Sequence, residues 1–141
     1  MSLESLFSLK GKTALVVGAS RGIGLAIAKE IAAAGAHTIL AARSADKLAE
    51  EVAALKAQGY SADSRSVDMA DSDSIRAFAA EFRGHVDILI NVAGTNVRRR
   101  MQDYTKEEYD RILGINLHGI FELCQHIGGG MVEGGKGGKI I

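Results

Sequence analysis

Three glycines at the junction of an apolar run and a helical pattern are the residues of this chain best suited to chemistry. Gly18, Gly22 and Gly24 follow the apolar residues 13–17 in the spacing G-x-x-x-G-x-G. Glycine permits positive φ and a close approach of backbone to ligand, so such a turn exposes amide donors at a helix N-terminus. We therefore predict a phosphate-binding turn, formed by Gly18, Ser20, Arg21, Gly22, Ile23 and Gly24.

The elements that must hold this turn alternate between strands and helices. Apolar runs predict strands at residues 12–17, 37–42, 60–67 and 86–90, and residues 139–141 resemble the start of a fifth. This alternation is typical of an α/β fold, a Rossmann-like doubly wound parallel sheet with helices on both faces, here reaching only the start of strand 5. We expect residues 1–141 to form one domain that binds its ligand at the carboxyl ends of the strands.

Apolar spacing predicts the buried faces of the helices between these strands. Asp71 is suited to cap one helix, and Thr105 with Glu108 forms the pattern of a capping box at the start of another. The residues predicted to face inward are Ile23, Ile27 and Ile31, then Leu48, Val52 and Leu55, then Ile75, Phe78, Ala79 and Phe82, and last Tyr109, Ile112, Leu113, Ile120, Leu123 and Ile127. Lys47, Glu50, Glu51 and Lys56 are predicted to form a solvent-facing side.

A glycine-rich segment lies near the end of the sequence. Residues 128–138 contain seven glycines in eleven positions, a composition compatible with a linker, a phosphate loop or a loop that returns to a strand. The segment lacks the Lys-Ser or Lys-Thr ending of a Walker motif. We predict a loop here.

Composition and charge exclude several classes of function. Lysine plus arginine (17) equals aspartate plus glutamate (17), so the chain has no charge excess for nucleic acid or an anionic membrane surface. The four histidines and the one cysteine, Cys124, show no metal-ligand spacing, and no apolar run is long enough to span a bilayer. We expect no metal, no nucleic acid, no membrane and a cytoplasmic location.

Two glycine-containing motifs give the chain its family resemblance. With the first glycine turn and with Asn91-Val92-Ala93-Gly94 after strand 4, the whole sequence resembles the classical short-chain dehydrogenase/reductase family. Residues 17–24 fit the family motif T-G-x-x-x-G-x-G except that Val17 replaces its threonine. In the family this threonine makes a structural hydrogen bond near the strand 4 turn. Its replacement is therefore expected to weaken the support between the two turns and to leave the phosphate contact unaffected.

The resemblance implies a nicotinamide cofactor, and the end of strand 2 indicates which one. An acid about 20 residues beyond the glycines binds the ribose 2′-hydroxyl of NAD, but the positions here are Ala41, Ala42 and Arg43. A guanidinium suits a 2′-phosphate through bidentate contact, and Arg21 is a second cation close by. We expect NADP(H) rather than NAD, the alternative being that both arginines are ordinary surface residues.

Further cofactor contacts follow from the resemblance. Asp68, with Met69 beside it at the end of strand 3, resembles the aspartate that hydrogen-bonds the adenine ring. We favour this contact over the alternative of a cap or turn aspartate. Asn91, Ala93 and Gly94 resemble the family's N-N-A-G, which lines the nicotinamide ribose. Turn formation alone would also explain these three residues.

Asn116 is the candidate catalytic residue. Ile112 and Ile120 lie four residues to either side and predict an inward amide, which on its own would indicate a satisfied core asparagine. Ile115-Asn116-Leu117 matches the family asparagine that holds a water linking the catalytic lysine to solvent. Gly114 and Gly119 within the same helix predict a local irregularity.

The reaction implied by the resemblance is hydride transfer between nicotinamide and a carbonyl or alcohol carbon. The family's serine, tyrosine and lysine follow strand 5, and none of the three can be matched here. Tyr104 and Tyr109 do not substitute, because neither has a lysine four residues on. We expect the 141 residues alone to be inactive, as part of a longer enzyme. Alternatives are a non-catalytic NADP(H)-binding module or sensor and, last, a nucleotide-independent scaffold.

The substrate is indicated only weakly. The pattern Arg98-Arg99-Arg100 favours a solvated charge run. The alternative is substrate binding, because its place after Asn91-Val92-Ala93-Gly94 resembles the gluconate 5-dehydrogenase branch, in which an arginine there could pair with a substrate carboxylate. We expect a small carbonyl or alcohol substrate, with a sugar acid as one candidate, and a homo-oligomer at full length.

Overall fold

The computed structural model describes residues 3–141. Residues 1 and 2 of the predicted domain lie outside the described residues, and the prediction of one domain over 1–141 stays a prediction. The strands are β1 (Thr13–Val17), β2 (His37–Ala42), β3 (Ala62–Ser66), β4 (Ile88–Asn91) and β5 (Lys139–Ile140). The helices are α1 (Leu3–Phe7), α2 (Gly22–Ala33), α3 (Ala45–Ala57), α4 (Ser72–Phe82), α5 (Lys106–Leu113) and α6 (Ile120–Glu133), with a 3₁₀ turn at Met101–Asp103 and a π-helical segment at Gly114–Gly119 between α5 and α6.

All five strands are parallel in the order β3-β2-β1-β4-β5. Alternate residues of β1 enter two different cores, because successive side chains of a strand point to opposite faces. Leu15 and Val17 pack with α4 and α6, whereas Val16 packs with α2 and α3. The predicted Rossmann-like α/β fold with helices on both faces is therefore confirmed.

The buried face of α2 differs from the predicted one. Its buried residues are Gly24, Ala28 and Ala32, while Ile23 is 73% exposed and Ile27 and Ile31 are half-buried. Small residues occupy the contact because α2 begins almost on top of the β1 turn, where a Cβ on Gly24 would stand 2.2 Å from the Gly18 carbonyl oxygen. The helical period was predicted correctly, but close backbone approach decides which face is buried.

The long helix predicted after Thr105 is divided by the π-helical segment. Leu123 and Ile127 of α6 are buried as predicted, and the half-buried Ile120 packs against the same core. Tyr109 is 56% exposed, and no residue of α5 is buried. The predicted inward position of Tyr109 is therefore wrong, because the apolar stripe first enters the core at Ile115, in the π-helical segment that follows α5.

The prediction of a loop at residues 128–138 is wrong for its first half, because α6 continues to Glu133. A Cβ on Gly130 would stand 2.6 Å from the Gly84 nitrogen and 2.8 Å from the Arg83 Cγ. Arg83 lies across the helix here, donating to the His126 carbonyl at 2.9 Å and to Glu133 at 2.5 Å, and it holds the pKa of Glu133 below its ordinary value. Only residues 134–138 form the turn into β5.

Both predicted helix caps are present. Asp71 accepts from the Asp73 amide at 2.9 Å at the start of α4. Thr105 Oγ1 accepts from the Glu108 amide at 3.1 Å, and Glu108 Oε2 accepts from the Thr105 amide at 3.2 Å, which completes the capping box of α5. Because Glu108 also pairs with Arg99 at 2.7 Å, this cap joins the helix to the loop that precedes it.

Replacing Thr105 with alanine is expected to lower the free energy of unfolding by about 1 kcal/mol, because the Glu108 amide loses its acceptor. Urea denaturation followed by circular dichroism measures this change. Thr105→Ser keeps the hydroxyl and is the matched control. Equal stability of the two variants would show that the cap does not contribute.

Among residues 3–141, no helix combines the length and apolarity that crossing a bilayer requires. Within the same residues, no group of three or more His, Cys, Asp or Glu side chains is placed to hold a metal ion.

Candidate functional site

A cleft of about 550 Å³ opens at the carboxyl ends of β1, β2, β3 and β4. This is the edge of the sheet at which the alternation of strands and helices predicts a ligand. Eleven of the thirteen residues proposed from sequence line it: Gly18, Ser20, Arg21, Gly22, Ile23, Gly24, Arg43, Asp68, Met69, Ala93 and Gly94. Asn91 and Asn116 are not on its wall.

The three glycines of the first turn have different structural roles. Gly18 has φ +95°, and a Cβ there would stand 2.6 Å from the Ala93 nitrogen, so this glycine lets the β1 and β4 turns touch. Gly24 allows the start of α2 to approach the Gly18 carbonyl. Gly22 has φ +58° and nothing within 4 Å of its missing Cβ, so it leaves room beside the backbone at the helix start.

The N-terminus of α2 is open toward the cleft. Arg21, at the N-cap, makes no side-chain cap bond, and the first turn contains no acidic residue. The first amides of a helix lack intrahelical acceptors, and the helix dipole favours an anion near them. Because Gly22, Ile23 and Gly24 of this turn line the cleft, the arrangement suits a phosphate or pyrophosphate.

Three cationic residues line the cleft wall, one at the start of α2 and two after β2. Arg21, Arg43 and Lys47 all line the cleft, and within the described residues none of the three has an ion-pair partner. Asp68 contributes the one carboxylate found on the described part of this wall. The backbone that carries Arg43 is fixed, because Ser66 Oγ donates to the Arg43 carbonyl at 3.1 Å.

Asp68 and Met69 lie on the wall just after β3. The Asp68 carboxylate accepts from the Ala70 amide at 2.9 Å, and the Asp68 amide donates to Ser74 Oγ at 3.0 Å. Asp68 therefore forms a turn, and its second carboxylate oxygen has no hydrogen-bond partner among the described residues. Met69 is 5% exposed, and its carbonyl oxygen would stand 2.3 Å from a Cβ on Gly119.

Of the three residues predicted to contact the nicotinamide ribose, two line the cleft and one does not. Ala93 and Gly94 line the cleft, but Asn91 points away from it. Its Nδ2 donates to the Ile141 carbonyl at 3.2 Å and contacts Cys124 Sγ at 3.4 Å, while its Oδ1 is buried without a partner among the described residues. The geometry thus places Asn91 in the packing between β4 and α6.

Asn116 lies in the π-helical segment and fixes the loop after β4. Its Oδ1 accepts from the Thr95 amide and its Nδ2 donates to the Thr95 carbonyl, both at 2.8 Å. The predicted helix irregularity at Gly114 and Gly119 is confirmed as this π-helical segment. The expected burial of the amide is wrong, because Asn116 is exposed and its amide is satisfied by the Thr95 backbone.

The three arginines at residues 98–100 differ in their ion pairing. Arg99 pairs with Glu108, whereas Arg98 and Arg100 have no ion pair or side-chain hydrogen bond among the described residues. The Tyr104 hydroxyl donates to the Val97 carbonyl and holds the loop between them. Arg98 and Arg100 are therefore the members of the run that are available to a ligand.

Eight wall residues were not among the site residues proposed from sequence, namely Val17, Ala42, Ser44, Lys47, Val67, Val92, Thr95 and Ile115. Lys47 was assigned to the solvent-facing side of its helix. Its position four residues beyond Arg43, in the first turn of α3, was the signal that could have identified it.

Comparison with known proteins gives consistent matches. The family model for short chain dehydrogenase matches residues 12–141. The chain is 36% identical to gluconate 5-dehydrogenase of Gluconobacter oxydans over 144 residues, which covers 100% of this chain and 56% of that protein. It is 40% identical to a fatty acyl-CoA reductase of Acinetobacter baylyi over 146 residues, covering 99% of this chain and 49% of that one.

The fold also matches solved structures. A gluconate 5-dehydrogenase from Burkholderia cenocepacia, crystallised in complex with NADP and tartrate, superimposes with a TM-score of 0.90 at 32% identity, covering 99% of this chain and 55% of that one. The chain therefore spans about half the length of the relatives it matches.

Proposed function

Because the chain belongs to the short-chain dehydrogenase/reductase family, we propose that its cleft binds NADP(H) as part of an oxidoreductase acting on a carbonyl or alcohol substrate. The cofactor proposal depends on one observation. The cleft wall carries Arg21, at the start of α2, and Arg43, just after β2, without an ion-pair partner among the described residues, and the position where an acid would bind a ribose 2′-hydroxyl is not acidic. A 2′-phosphate, which NADP has and NAD lacks, matches this charge.

We assign the pyrophosphate to the glycine turn. The open start of α2 supplies amide donors, and the space beside Gly22 admits a ligand next to the backbone. Ile23, exposed at the cleft mouth, offers an apolar surface that a bound dinucleotide would cover. Asp68 and Met69 are assigned to the adenine, and Ala93 and Gly94 to the nicotinamide ribose. The ribose contact predicted for Asn91 has no support from its orientation.

When bound, NADP(H) supplies or accepts the hydride. On the nicotinamide side, the chain's own contribution is to position a wall residue. The side-chain amide of Asn116 bonds both the backbone N–H and the backbone carbonyl of Thr95 and so fixes it. The family role of Asn116 in holding a water stays a proposal. The serine, tyrosine and lysine of the family reaction are not assigned to any residue of this chain, and catalysis by these 141 residues alone is not expected.

A sugar acid is the substrate class we favour. Two of the proteins that resemble this chain are gluconate 5-dehydrogenases. Arg98, which has no ion-pair partner in the part of the chain that the structure describes, has the bidentate donors that bind a carboxylate. The likeness to a fatty acyl-CoA reductase is a reason to test other carbonyl compounds beside gluconate. Homo-oligomerisation and a cytoplasmic location stay predictions.

Isothermal titration of the purified chain with NADPH and with NADH tests the cofactor proposal. We expect NADPH to bind at least about tenfold more tightly, the value of one additional charge-assisted contact. Adenosine 2′,5′-bisphosphate should compete with NADPH better than adenosine 5′-monophosphate does. Equal affinity for the two dinucleotides would contradict the assignment of the 2′-phosphate, and binding of neither would contradict the cleft as a dinucleotide site.

A further inference from the structure

Lys47 lies in the first turn of α3, on the same wall as Arg43. Every Cα–Cβ bond of a helix is tilted toward the helix N-terminus. A long side chain in the first turn therefore extends back toward the residues that precede the helix. For α3 these residues are Arg43 and Ser44, both of which line the cleft.

The position of Lys47 is unfavourable for a lysine on local grounds. Cations are disfavoured at helix N-termini, where the dipole is positive and the amides lack acceptors. Acidic residues are the usual occupants of the first turn, and Asp46 of the same turn follows that rule. A residue that opposes a local preference without evident structural compensation indicates a functional constraint.

The pairing of neighbouring charges leaves Lys47 available to a ligand. Glu51, one turn further along α3, is bonded to Lys29 of α2 at 2.8 Å. Lys56, at the other end of the same helix, is paired with Asp63 at 3.3 Å. No ion pair is formed by Lys47 within the described residues. Binding of an anion to its ammonium would therefore break no existing ion pair.

We propose that Lys47 is a specificity-determining residue that, with Arg21 and Arg43, binds the 2′-phosphate of NADP(H). This inference rests on the proposed function, because it extends the assignment of the 2′-phosphate. The three cations then approach the phosphate from two elements. Arg21 precedes α2, while Arg43 and Lys47 lie before and within the first turn of α3.

The test compares Lys47→Gln with Lys136→Gln, which removes the same charge from an exposed lysine in the turn before β5, at the opposite edge of the sheet. Titration calorimetry with NADPH and with NADH gives the two dissociation constants. We expect Lys47→Gln to weaken NADPH by about three- to fivefold, the value of one exposed ion pair, and to leave NADH unchanged. Lys136→Gln should change neither.

A second variant separates binding from stability. Lys47→Glu places an acid at the helix start, so the apo chain should melt at the same or a higher temperature while NADPH binding falls further than in Lys47→Gln. A merely structural lysine would not show these opposite changes.

The outcomes distinguish the two proposals. A wild-type chain that does not prefer NADPH overturns both the 2′-phosphate assignment and the role of Lys47. A wild-type preference for NADPH that Lys47→Gln leaves unchanged overturns the role of Lys47 alone.

Discussion

Replacing Gly24 with alanine is expected to lower the free energy of unfolding by about 3 kcal/mol. The added Cβ would stand 2.2 Å from the Gly18 carbonyl oxygen and 2.8 Å from the Gly18 carbonyl carbon. Both atoms belong to the backbone of the turn after β1, so neither can move aside without displacing the start of α2 from the end of β1. The same displacement should abolish NADPH binding.

The direction of the change in unfolding free energy distinguishes the close backbone approach from the ordinary effect of replacing a helical glycine with alanine. Gly24 lies in a helix and outside the left-handed region, where alanine normally stabilises by about 1 kcal/mol relative to glycine. Gly114 provides the matched control, because its φ is −54° and nothing lies within 4 Å of its missing Cβ. Urea denaturation should therefore give a loss of stability for Gly24→Ala and a small gain for Gly114→Ala. A neutral or stabilising Gly24→Ala would contradict the close approach.

Replacing Arg43 with aspartate is expected to weaken NADPH binding by about 100-fold, because a charge-assisted contact of about 1.5–3 kcal/mol is lost and a repulsion takes its place. NADH should bind as well as before or better, since a carboxylate at this position can accept from the ribose 2′-hydroxyl. The measurement is the ratio of the two dissociation constants from titration calorimetry.

Two further variants control the Arg43 experiment. Arg43→Leu removes the guanidinium without adding a negative charge, so its loss of NADPH affinity should be smaller and NADH should gain nothing. Arg111→Asp makes the same charge reversal on exposed α5, away from the cleft, and should change neither constant. If the NADPH preference survives Arg43→Asp, another group recognises the 2′-phosphate.

Local patterns were enough to predict the sheet and most of the cleft. The apolar run of β1 acts through neighbours in sequence, as do the caps at Asp71 and Thr105, and all three formed as predicted. Parallel pairing brings strand ends to one edge, so Arg43, Asp68 and Gly94 came together although they are far apart in the chain.

Two errors arose where the backbones of two segments lie so close together that only glycine fits, which neither periodicity nor composition shows. Periodicity favours large apolar residues such as Ile23 for the core, but contact with Gly18 selected Gly24. Composition cannot show that Gly130 meets the backbone at Gly84, so a helical stretch was predicted to be a loop. Lys47 was missed because the charge pattern of a helix does not show where its first turn lies relative to the cleft.

The distribution of charge has a consequence for the kinetics of binding. The chain has a formal net charge of zero, so it exerts no general attraction on polyanions at a distance. The cations of the cleft wall nevertheless give that face a local positive potential, which an approaching dinucleotide meets only within about 8 Å at physiological ionic strength. Added salt should therefore slow association and leave dissociation nearly unchanged.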